Sequence, residues 1–301
     1  MRVFAGIVTY NPQIDRLIEN VEAIAPQVER IVVFDNGSAN LSEVEDALRA
    51  HGDSSDVIAN GANAGMAHAL NVLCERAKAE GVDYILLLDQ DSVAPEGFVD
   101  LLCEHTGEDV GITAPFVMDR NNVRHVLMDE AVEQTDMVIT SGSLVNLDIW
   151  ERVGGYDENL FVDWVDYEYC DALLLQGYRI LKVRDAVLLH EIGKKQYSRM
   201  GWSFTFEKGF FRWPVYQDDR PFIRRYDKVK AQVYVTLKYR WTSRWGHEMW
   251  FYAYEIWCNL YRGNKKLEYL RAWSKGAFDG SVLALRAHAR RGKARPVNRD
   301  R

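Results

Sequence analysis

Tyr84-Ile85-Leu86-Leu87-Leu88-Asp89-Gln90-Asp91 is the stretch that decides the fold. An unbroken apolar run, followed at once by two carboxylates two positions apart, reads as a strand buried on both faces whose end opens into solvent. The same grammar recurs upstream. Val3 to Tyr10 is an apolar run that closes on Thr9-Tyr10-Asn11, Arg30 to Phe34 closes on Asp35-Asn36-Gly37-Ser38, and Asp56 to Ala59 is a shorter strand. Between these runs the apolar spacing is helical. Ile14 to Ala25 carries Leu17, Ile18, Val21 and Ile24, Leu41 to His51 follows the same rhythm, and Gly65 to Glu80 carries Ala69, Leu70, Leu73 and Ala77. Alternating strands and helices predict an α/β fold, a mostly parallel central sheet flanked by helices. In such sheets ligands bind outside the carboxyl ends of the strands, and here three strand ends carry polar clusters.

From about Phe204 the texture changes. Aromatics become dense and helical spacing dominates from Tyr226 to Ala289. The expected division is residues 1–215 as the α/β domain and 216–301 as a C-terminal helical, basic, aromatic-rich subdomain. Charge follows the same division: Arg220 onward holds 20 Lys and Arg against 6 Asp and Glu, leaving 17 against 38 in the rest. An acidic body fits a cation-using site, and a basic end fits an anionic partner or simply attraction between the two parts. At 48% apolar residues the 301-residue chain can bury a large core. Its four cysteines are scattered, with no metal-ligand spacing, which fits a reducing cytoplasm. The chain enters a strand at Val3, so no leader is expected, and no apolar run approaches the length of a membrane span.

Each polar cluster has a plain reading beside a chemical one. Asp89 and Asp91 can cap a following helix, or present oxygens to one hard divalent cation such as Mg2+ or Mn2+. Asp35-Asn36-Gly37-Ser38 is a tight turn, or places a carboxylate to accept a pyrimidine N3–H. Asn60 to Gly65 is a capped helix start, or a loop whose N–H groups approach a diphosphate. It matches neither a P-loop nor a dinucleotide fingerprint. Asp163, Asp166 and Glu168 lie among Trp164, Tyr167 and Tyr169. They read as a solvated helix start, or as carboxylates desolvated by aromatics, one of which can serve as a general base. His190 closes the apolar run Ala186 to Leu189, where it becomes a candidate metal ligand.

Taken in order, these pieces resemble a bacterial family 2 inverting glycosyltransferase of GT-A type, closest to the rhamnosyltransferases. The resemblance rests on Val8-Thr9-Tyr10-Asn11, Asp35-Asn36-Gly37-Ser38, Asn63-x-Gly65 with Asn71, and Leu87 to Ser92. It continues through Thr140-Ser141-Gly142-Ser143, Val153 to Asp157, Leu160 to Glu168, Gly177 to Ile180, and Lys275-Gly276-x-x-Asp279-Gly280. It implies a GT-A nucleotide-diphospho-sugar transferase fold and sugar transfer to a hydroxyl. The donor implied is dTDP-L-rhamnose, with a UDP-sugar such as UDP-galactofuranose as the alternative. Thr9, Tyr10, Asn11, Asp35, Asn63, Gly65 and Asp89 would bind the nucleotide. Asp89, Asp91 and His190 would hold Mg2+ or Mn2+. Asp166 would be the catalytic base, supported by Asp163 and Glu168, with Ser141, Gly142 and Trp164 on the acceptor side. The family's Arg-rich stretch after the His is replaced here by Gly193 to Arg199 and the aromatic Phe206 to Tyr216.

A nucleotidyltransferase would carry a Gly-rich, basic signature at the first strand, and Val8 to Asn11 has none. A catalytically inactive carbohydrate-binding relative would lack Asp91 or Asp166, and both are present. The implied acceptor is a polysaccharide or lipid-linked sugar. Trp241 to Tyr261, with the basic residues from Arg286 to Arg301, suits either the inner leaflet of the cell membrane or a contact in a homo-oligomer. A nucleic-acid partner is not expected on so acidic a body.

Overall fold

The computed structural model describes residues 1–49, 52–119, 130–190, 197–205, 209–216, 221–239, 256, 260 and 265–291. The chain divides into two compact units, Met1–Ile192 and Gly193–Arg301. This break falls ahead of the boundary expected near residue 215. The reason is that β9 (Tyr197–Thr205) and β10 (Gly209–Tyr216) pair with each other as an antiparallel hairpin and join no other described strand.

The first unit is built on an eight-stranded sheet in the order β3-β2-β1-β4-β7-β5-β8-β6. β1 (Val3–Thr9), β2 (Arg30–Asp35), β3 (Ser55–Ala59) and β4 (Tyr84–Asp89) run parallel, joined by α1 (Ile14–Ile24), α2 (Leu41–Arg49) and α3 (Met66–Ala79). β1 is buried along its whole length, and Leu17, Val21 and Ile24 of α1 are completely covered. A side chain of this kind contributes about 1.5–3 kcal/mol when fully buried. Gly6 lets α3 close on the sheet, since a Cβ there would lie 3.0 Å from Ile85 and 3.1 Å from Leu73.

β5 (Val110–Asp119), β6 (Val132–Gln134), β7 (Ser143–Asn146) and β8 (Arg179–His190) complete the sheet; α4 (Phe98–Cys103), α5 (Leu147–Val153) and α6 (Val165–Leu175) lie between strands. β7 is antiparallel to both β4 and β5, and β8 is parallel to β5. Two reversals restore the direction, so β8 ends on the same edge of the sheet as β1, β2 and β4.

In the second unit, α7 (Phe222–Lys238) packs on α8 (Lys266–Arg291). Gly276 and Gly280 face α7 so closely that a Cβ would meet the Tyr226 carbonyl oxygen at 2.8 Å and that of Lys230 at 2.5 Å. The helical expectation for this part therefore holds over α7 and α8. Most of the aromatic stretch Trp241 to Tyr261, and the tail beyond Arg291, lie outside the described residues.

Candidate functional site

Parallel pairing places Thr9 beside Asp35 and Val8 beside Asp89, so three polar strand ends share one edge. The chain after β4 is stitched to β8 by two backbone hydrogen bonds: Val93 N–H donates to Leu189 at 2.9 Å, and Leu189 N–H donates to Val93 at 3.2 Å. That stitch sets His190 against the acidic pair. Its Nδ1 lies 3.5 Å from Asp91 and its Nε2 3.8 Å from Asp89. One ligand atom from each of the three residues falls within 4.8 Å of the others. Burial pushes the Asp89 carboxyl above its ordinary range; His190 opposes the shift and Asp91 adds to it. Two carboxylates crowded into a partly closed site, one of them pushed up, mark a cluster short of positive charge. Two hard oxygens and an imidazole nitrogen suit a divalent cation of the Mg2+ or Mn2+ kind.

Behind this cluster lies a hydroxyl pair whose members are spaced far apart in sequence. Ser92 Oγ is 2.6 Å from Ser141 Oγ and 3.3 Å from His190 Nδ1, and Ser141 Oγ accepts the Asp89 N–H at 3.2 Å. Both serines are buried. Asn20 adds a 2.7 Å hydrogen bond to the Asp89 carbonyl. Ser141 therefore braces the cluster from behind. Gly142 is also buried, under Pro115 and Leu188, and at φ +82° it serves the turn into β7. The signal missed in the sequence is Ser92, which stands immediately after the Asp-x-Asp.

Thr9 and Asp35 are brought to the edge but not to its surface, both being 0% exposed. Asp35 accepts hydrogen bonds from the Gly37 and Ser38 N–H groups and from the Thr9 hydroxyl. Its carboxylate thus also holds the turn that follows β2. Tyr10 and Asn11 are exposed at the rim. Gln90 accepts the Tyr10 N–H at 2.9 Å, and Ser38 accepts the Asn11 N–H at 2.8 Å.

Asn36 links this rim to the loop before α3, accepting the Ala64 N–H at 2.8 Å and donating to the Gly65 carbonyl at 3.2 Å. Asn63 is exposed, and its side chain accepts the Gly65 N–H. Gly65, at φ +93°, has no room for a Cβ, which would lie 2.6 Å from the Phe161 carbonyl oxygen. Met66 N–H donates to that same oxygen at 2.5 Å. Asn71 clamps the other end of the loop, donating to the Tyr156 carbonyl at 2.9 Å and accepting its N–H at 2.8 Å.

These contacts fix the start of α6. Trp164 precedes the helix with φ +72°, a left-handed conformation that costs a non-glycine residue about 1–2 kcal/mol. Its ring lies 4.8 Å from that of Tyr167. Asp166 follows in the first turn, with one carboxylate oxygen accepting the Tyr167 N–H at 2.9 Å. Burial raises its carboxyl to about 6; backbone hydrogen bonds pull the other way, and the charges of Asp89 and Asp163 add to the rise. Asp163 stays partly open, while Glu168 is 2% exposed. The edge thus offers a carboxyl raised to about 6 within electrostatic reach of a cluster that could hold a cation.

A family profile described as Glycosyl transferase family 2 matches residues 5–150. The dTDP-rhamnosyl transferase RfbF of Shigella flexneri is 31% identical over 212 residues, spanning 64% of this chain and 70% of that protein. Among solved structures, the mannosyltransferase PcManGT from Pyrobaculum calidifontis, in complex with GDP-Man and Mn2+, superposes with a TM-score of 0.54 at 15% identity, over 98% of this chain and 76% of that one. TarS of S. aureus, in complex with UDP-GlcNAc, superposes with a TM-score of 0.58 at 15% identity, over 96% and 83%. The two structures establish the GT-A architecture of the sheet, and with the sequence matches they place the chain in glycosyl transferase family 2, as a glycosyltransferase.

Proposed function

We propose that the chain is a metal-dependent inverting rhamnosyltransferase, moving L-rhamnose from dTDP-L-rhamnose to a hydroxyl of a cell-surface polysaccharide or lipid-linked acceptor at the cytoplasmic face of the membrane. The observation that carries this reading is Asp166, a carboxyl raised to about 6 that feels the charge of Asp89 in the cation-binding cluster. The 31% identity to a dTDP-rhamnosyl transferase supports the donor.

Tyr10 and Asn11 would meet the nucleoside, and the Asn63–Gly65 loop would lie along the diphosphate. Asp89, Asp91 and His190 would hold Mg2+ or Mn2+, which supplies positive charge to the leaving diphosphate. Asp166 takes the proton as the acceptor oxygen bonds to the sugar C1. The bond from C1 to the diphosphate oxygen breaks on the opposite side, and its electron pair leaves with dTDP. Asp163 sharpens the base by like charge. One displacement inverts the anomeric centre, and no nucleophile of the protein is needed.

The test is a panel of dTDP-, UDP- and GDP-sugars, read by slow donor hydrolysis and by thermal stabilisation in Mn2+. A cognate donor at ~100 times its Kd stabilises the fold by about 2.7 kcal/mol. Stabilisation by a UDP-sugar and not by dTDP-L-rhamnose would overturn the donor. Full activity in excess EDTA would overturn the metal.

A further inference from the structure

We infer that the outward face of α8 is a docking surface for an anionic lipid bilayer. Gly276 and Gly280 press one side of this helix against α7, and Tyr269, Ala272 and Ala284 are buried with them. The opposite side carries three large apolar side chains in the open, with exposed Ser274 close to their line. Leu267 is 74% exposed, Phe278 69% and Leu285 70%. At 100° per residue these three lie within about 20° of one line, about 27 Å long. Beside the line, on one flank, Arg271 and Arg286 are exposed, and Lys275 is exposed but paired with Asp279.

The two acids of α8, 34% and 31% exposed, are both paired. Glu268 lies 3.7 Å from Arg225 and 3.6 Å from Lys265, and Asp279 accepts from Tyr226 at 2.6 Å and Lys275 at 2.7 Å. An apolar line bordered by cations matches the boundary between acyl chains and anionic headgroups. The helix would lie on the surface and not cross it, since no described helix is long and apolar enough to span a bilayer.

The inference deepens the inner-face location proposed above by naming the surface that would hold the enzyme beside a lipid-linked acceptor. It is tested with the full chain on vesicles of phosphatidylcholine, with and without phosphatidylglycerol. Co-sedimentation should be at least ~10-fold stronger on the anionic vesicles and fall in high salt. Phe278→Glu, at a position too exposed to disturb packing, should lose at least ~10-fold of that binding. Helical content and donor hydrolysis in solution should stay unchanged, so a failed glycosyltransferase reading shows in hydrolysis and a failed docking surface shows in sedimentation. Equal binding to both vesicles, or native binding by Phe278→Glu, overturns the inference. So does a native dimer that Phe278→Glu dissociates without vesicle binding, which would assign the face to a second copy.

Discussion

Replacing Asp166 with Asn should make the protein more stable and nearly inactive. The folded carboxyl is raised to about 6 from an ordinary 3.8, mainly by burial. Below about pH 4 it is protonated whether the chain is folded or not, and it costs nothing. Between the two values the folded chain holds a proton that the unfolded chain has released, so stability falls as pH rises. Above about pH 7 the charge is carried at full cost, about 3 kcal/mol at 1.36 kcal/mol per pH unit. Asn cannot ionise, and its Oδ1 can keep the hydrogen bond from the Tyr167 N–H. Measured in EDTA, Asp166→Asn should therefore melt about 6–12 °C above the native protein at pH 8 and with it at pH 4. Titrating groups remote from Asp166 cancel in that difference. Transfer should fall by ~10²–10⁴ while donor binding survives. A gain that persists at pH 4, or no gain at pH 8, would refute the burial argument. Unimpaired transfer would move the base elsewhere, with Asp163 the first residue to test.

Two further outcomes follow from the brace and the loop. Ser92→Ala removes the hydroxyl between Ser141 and His190, and Mn2+ titration of the free enzyme should show about a 10–100-fold loss of affinity. Unchanged affinity would show that the imidazole is oriented without it. Gly65→Ala puts a methyl group 2.6 Å from the Phe161 carbonyl at φ +93° and should cost about 2–4 kcal/mol. It should lower donor affinity as well as turnover, because the Asn63–Gly65 loop is proposed to lie along the diphosphate and Phe161 lies on the segment leading to Asp166. A melting temperature equal to the native one would count against that close packing.

Legibility in the sequence tracked how local each signal is. β1, β2 and β4 could be read directly because an apolar run meets a polar stop within a few residues. β7 escaped notice because it has only four residues, Ser143–Asn146, and its partners lie on distant β4 and β5. β5 was masked by Gly111 and Pro115, and β9 and β10 by aromatics that do not alternate cleanly. In the site, the Asp-x-Asp and His190 were readable as residue types in position. The direction in which a carboxylate faces was not. Asp35 accepts from two N–H groups of its own loop and from the Thr9 hydroxyl, and the sequence writes that arrangement in the same letters as a ligand contact. Ser92 acquires meaning only through a residue 98 positions later.

That separation sets a schedule for biosynthesis. The parallel core β3-β2-β1-β4 has all its strands by Asp89, but the third member of the cluster, His190, is made much later. At ~5–20 residues per second, the ribosome takes about 5–20 s to travel from Ser92 to His190. Until then the nascent chain presents two carboxylates and no imidazole, held by a strand whose last partner has not arrived. A chain released before His190 would therefore lack one of the three residues that could hold a cation.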